Sequence, residues 1–80
     1  MSIAVEKKMK TVAANIRKIR ELRKYTQEYL AMKLGISQNA YSKIELAYTR
    51  ITLERLIQIS EILDVDAVAL INGTSEDIVN

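Results

Sequence analysis

Apolar residues recur at helical spacing from Thr11 onward. Val12, Ile16, Ile19 and Leu22 fall on one face, and Arg17, Lys18, Glu21 and Lys24 on the other. This pattern predicts an amphipathic first helix that ends near Lys24. Before it, residues 1–10 mix Ile3, Val5 and Met9 with Lys7, Lys8 and Lys10, and read as a flexible or helical lead-in. Thr26 is an N-cap candidate, because its hydroxyl can accept an orphan amide of the next turn. Leu30, Ala31 and Leu34 then form the inner face of a second helix, and Gly35 is placed to close it in the left-handed conformation. Ile36 follows as an apolar plug. Ser37 caps a third helix that runs to about Leu46, with Tyr41 and Ile44 facing inward. After a loop at 47–51, Thr52 caps a fourth helix. Its expected inner face is Leu53, Leu56, Ile57, Ser60 and Leu63, with Ile59 and Ile62 widening the stripe. Asp66 caps a short fifth helix, stopped at Asn72–Gly73.

Composition sharpens this picture. The 80 residues include no Pro and only two Gly, so the frequent turns of a sheet protein are missing and the chain reads as all-α, a bundle of about five short helices. The expected organisation is one domain at 11–73, preceded by the lead-in 1–10 and followed by a loose polar tail at 74–80. Cys and His are absent. Disulfides, ordinary zinc, haem and iron–sulfur sites, the usual general base and the thiol nucleophile are excluded together. No cofactor, metal site or catalytic residue is expected. A catalyst would need paired carboxylates in a cleft. No apolar run approaches the length of a membrane span and the first residues lack the pattern of a signal peptide, so a cytoplasmic location is expected.

The small net charge of +2 conceals an asymmetry. Residues 1–50 carry eleven Lys and Arg against four acids, a net of +7, whereas residues 51–80 carry Arg55 against six acids, a net of −5. A basic half points to a polyanionic partner, although a solvated basic helix would give the same count.

The informative unit is Gln27 to Glu45. Gly35, Ile36 and Ser37 join two short helices, a spacing too tight for an antiparallel hairpin and matched to the turn of a helix-turn-helix. Ala31 sits where the helices cross and must be small. Such a unit presents its second helix as a ridge that fits a major groove. At these positions the chain resembles the Cro and phage-repressor (Xre-like) helix-turn-helix proteins, with their lambda-repressor-like fold. The matching residues are Ile16-Arg17 and Ile19-Arg20, then Thr26-Gln27-Glu28, Leu30-Ala31 and Leu34-Gly35-Ile36-Ser37. They continue through Tyr41-Ser42-Lys43-Ile44-Glu45, Thr52-Leu53, Leu56, Ile59, Leu63 and Val65. The resemblance covers about residues 12 to 72.

The resemblance implies that Gln38, Asn39, Ser42 and Lys43 read bases; Gln and Asn suit adenine, and Lys suits guanine or a phosphate. It implies that Thr26, Gln27, Ser37, Tyr48, Thr49 and Arg50 hold phosphates, with Arg17, Arg20, Arg23 and Lys24 as possible supplements. Arg20 and Glu45 would form a structural ion pair, so Glu45 would not read bases. The expected partners are double-stranded DNA and a second copy of the chain, with Ile62, Val65, Val68 and Ile71 as the dimer surface. Four positions depart from the family pattern. Ala47, Tyr48 and Ile51 stand where Gly, a basic residue and Pro are usual, so the loop is expected to run differently if Ala47 resists the left-handed conformation. Tyr41 replaces a branched aliphatic residue and needs a partner for its hydroxyl.

The same residues allow two other readings. A protein-interaction module would use the acidic last third, Glu54, Glu61 and Asp64, to touch a toxin or RNA polymerase. An enzyme is poorly supported, because these acids lie on exposed helix faces or in the tail, and no small-molecule substrate is expected.

Overall fold

Each helix begins at a side chain suited to start it. Ser2, Thr26, Ser37, Thr52 and Asp66 have extended backbone, and each accepts a hydrogen bond from an amide two or three residues on. In the computed structural model, which describes residues 2–73, they open α1 (Ile3–Leu22), α2 (Gln27–Leu34), α3 (Gln38–Glu45), α4 (Leu53–Leu63) and α5 (Ala67–Asn72). The fold is all-α and contains no strand among these residues.

The expected start of the first helix at Thr11 is corrected. The lead-in is helical from Ile3 and continuous with α1, so residue 10 is not a boundary between elements. The end falls at Leu22, with Arg23 as the cap, close to the expected Lys24. The anticipated tail at 74–80 lies outside the described residues.

Four helices close in the same way. The amide after the turn residue reaches back five positions: Tyr25 N to Arg20 O, Ile36 N to Ala31 O, Tyr48 N to Lys43 O and Val65 N to Ser60 O, all at 2.9–3.1 Å. The turn residues, Lys24, Gly35, Ala47 and Asp64, all have positive φ, between 55° and 71°. Only one is glycine. Ala47 is thus left-handed, φ 60°, and the loop does not take a different course for lack of Gly. The expected result of Ala47→Gly is a gain of about 0.5–1 kcal/mol, because relief of the left-handed strain exceeds the added freedom of the unfolded chain. A thermal melt should rise by several degrees; an unchanged or lower melting temperature would contradict this account.

The core joins Ile16 and Ile19 of α1, Leu30 and Ala31 of α2, Tyr41 and Ile44 of α3, Leu56, Ile59 and Leu63 of α4, and Leu70 of α5. Leu22 is exposed, so it does not continue the inner stripe of α1. On α4 the inner face is Leu56, Ile59, Ser60 and Leu63; Leu53 and Ile57, expected inside, are exposed. Ile59 is fully buried, on a helix that packs against α1, α2 and α5. Tyr41 is in the core with 0% exposure, and its hydroxyl has no hydrogen-bond partner among the described residues. Burial first, and then the nearby Glu45 carboxylate, push this phenol far above its ordinary value of 10.0, so it stays protonated. No described helix is long and apolar enough to cross a membrane.

Candidate nucleic-acid interface

The turn between α2 and α3 follows from three residues. Gly35 adopts φ 71° and lets the chain reverse. Ile36 packs on the core, and its amide returns to Ala31 O at 3.0 Å. Ser37 accepts from Ala40 N at 3.0 Å and starts α3. Ala31 is almost fully buried in the core, on a helix that packs closely against α3. The outcome is a short ridge, α3, whose apolar face is locked by Tyr41 and Ile44. On its other side Gln38, Asn39 and Lys43 are exposed and Ser42 is half-buried.

The ridge is anchored to α1 by charge. Arg20 Nε donates to Glu45 Oε2 at 2.7 Å and its Nη2 to Glu45 Oε1 at 3.0 Å, a two-point pairing. The remaining arm of Arg20 donates to Tyr25 O at 2.9 Å, so the guanidinium also holds the loop before α2. The side chain of Glu45 is only 2% exposed. Burial by itself would raise this carboxyl, but the hydrogen bonds from Arg20 and Gln27 outweigh it and hold it below 4.5. The same pairing with Glu45 raises Arg20.

The six phosphate candidates lie in different settings. Thr26 and Ser37 spend their hydroxyl acceptors on capping, with Thr26 taking Tyr29 N at 3.0 Å. Gln27 is half-buried, and its Nε2 donates to Glu45 Oε1 at 3.1 Å. Sequence reading missed this link, which aims the head of Gln27 from α3. Tyr48, Thr49 and Arg50 are exposed on the loop after α3. Thr49 and Arg50 share a groove of about 520 Å3 with Asn39 and Lys43, which joins residues of α3 and of the loop in one surface. Of the supplementary cations, Arg17 pairs with Glu21 at 3.4 Å on the exposed face of α1. Arg23 is committed elsewhere, donating to Leu63 O at 2.9 Å and Asp64 O at 3.1 Å. Of the four dimer candidates, Ile62, Val65 and Ile71 are half-buried against the core, whereas Val68 is 57% exposed.

Residues 16–70 match the family model for helix-turn-helix proteins. The chain is also 42% identical over 63 residues to an uncharacterized HTH-type transcriptional regulator, YqaE, of Bacillus subtilis (strain 168). The match takes in 79% of this chain and 54% of that protein, so the chain spans about half the length of the relative. No solved structure matches the chain.

Proposed function

The chain belongs to the helix-turn-helix family of DNA-binding transcriptional regulators, and from that premise we propose that it acts as a homodimer on an inverted-repeat operator, with α3 in the major groove. The observation that carries this reading is the exposed polar edge of α3, Gln38, Asn39 and Lys43, on a helix whose other face is locked into the core. In this reading these residues and Ser42 read bases. Thr26, Gln27, Ser37, Tyr48, Thr49 and Arg50 hold the sugar–phosphate backbone, through side chains and the free amides at the start of α2. One recognition helix makes few base contacts, each good pair discriminating by about 1–3 kcal/mol, and a two-fold dimer doubles them. Val68, with Ile62, Val65 and Ile71 beside it, is the proposed dimer surface. The role is that of a phage-type repressor or a restriction–modification controller.

Selection of bound duplexes from a random pool tests the proposal. Enrichment of an inverted repeat with fixed half-site spacing supports it. Absence of any enriched sequence would transfer the function to protein contacts, with the exposed acids Glu54, Glu61 and Asp64 as the surface to probe. On the selected operator, Gln38→Ala should weaken binding by about 1–3 kcal/mol and relax one base position. Arg50→Ala should weaken all sequences about equally. Titrations of both variants against operator and scrambled duplex separate the two effects; identical behaviour would refute the assigned roles.

A further inference from the structure

The 520 Å3 groove beside α3 has a second wall, which the sequence did not reveal. Lys43 comes from α3 and Arg50 from the loop, but the far side is the start of α4, with Thr52 and Arg55. Three cations line the groove and no carboxylate does. Arg55 is half-buried. Its Nη1 donates to Leu34 O at 3.4 Å, in the last turn of α2, and to Gln58 Oε1 at 3.3 Å. A guanidinium has five N–H donors in a planar fork. Those on Nε and Nη2 have no hydrogen-bond partner among the described residues. The backbone of Arg55 donates to Thr52 Oγ1 at 3.1 Å, which ties the residue to the cap of α4.

We propose that Arg55 is a further phosphate-contacting residue of this protein, and that a phosphodiester of the bound duplex lodges in the groove between α3 and the start of α4. The inference rests on the DNA-binding reading above. Asn39 and Lys43 form one wall of the groove, so a strand whose bases they read must pass its backbone along it. There it meets Lys43, Arg50 and Arg55 together, with no acid to oppose it. The anchored Nη1 holds the fork of Arg55 in place, and the two unengaged nitrogens match the paired oxygens of a phosphate. The cation also links α4 to the end of α2, so it would set the height of the backbone against the first helix of the motif.

Fluorescence anisotropy of the full chain on its selected duplex, across a series of KCl concentrations, tests this. Each phosphate contact contributes about 0.9 to the slope of log affinity against log salt. Arg55→Gln is expected to reduce the slope by about that amount, and Arg55→Lys to preserve it. In a series of duplexes each bearing one neutral methylphosphonate, one position should weaken the wild type several-fold and leave Arg55→Gln unaffected. A melting temperature measured for each variant separates folding from binding. A folded Arg55→Gln with an unchanged slope and no such position would overturn the proposal and leave Arg55 as a tie to the end of α2 only. A wild type without salt-dependent duplex binding would instead bring down the DNA-binding reading, and this inference with it.

Discussion

Glu45→Ala should lower the stability of the fold by about 3–5 kcal/mol, the usual cost of removing one partner from a buried ion pair. A chain of this length has roughly 4–12 kcal/mol in total, so much of the variant would be unfolded or close to it. The size follows from what the carboxylate serves. It takes two bonds from Arg20 and one from Gln27. Without it a guanidinium whose side chain is 11% exposed keeps only Tyr25 O, and α3 loses its tie to α1. Urea unfolding at neutral pH measures the effect. A loss under about 1 kcal/mol with an altered base preference would mean that Glu45 reads DNA.

The pair also sets a pH dependence. The carboxyl of folded Glu45 titrates below its ordinary 4.5. A depressed value means that the folded state favours the charged form. The contribution is therefore fully present above pH 4.5 and is lost as the pH falls through the lowered value. The stability gap between wild type and Glu45→Ala should be constant near neutrality and should narrow in acid. A gap that widened on acidification would reverse the assigned shift.

Asn15→Leu should cost about 2–4 kcal/mol. Asn15 is buried on the inner side of α1, where its Nδ2 donates at 2.9 Å to both Leu70 O and Gly73 O. These carbonyls lie in the last turn and at the cap of α5, and no backbone amide among the described residues meets them. Leucine would add apolar surface but strand both acceptors, at about 1–3 kcal/mol each, with some recovery from burial. The loss should appear in α5 first, as faster amide exchange there than in α2 and α3. Uniform exchange with unchanged stability would show that α5 does not depend on this tie.

How much of this was legible in advance varies from residue to residue. Thr26, Ser37, Thr52 and Asp66 act within three residues of themselves, and short-range geometry needs no knowledge of the rest of the chain. The turn at Gly35–Ser37 was legible for the same reason. Asn15 gave a signal that could have been used: a polar residue between Val12 and Ile16 on an apolar face must find a partner. Its acceptor, however, lies 55 positions away. Helical period alone cannot choose between adjacent stripes, and so it counts Leu53 and Ile57 as inner residues although both are exposed.

The sequence by itself determined the all-helical class, the starts of α2 to α5, the tight turn and the polar edge of α3. These follow from helical period, cap chemistry and the backbone preference of one glycine, all local properties. Tertiary structure alone decided that Ile59 and not Ile57 faces the core, that Ala47 accepts a left-handed backbone, that Gln27 is aimed by Glu45, and that Arg55 joins Lys43 and Arg50 around one groove. Each of these depends on which distant segment packs against the residue. Burial, strain and electrostatic field are set by neighbours that the chain brings together only on folding.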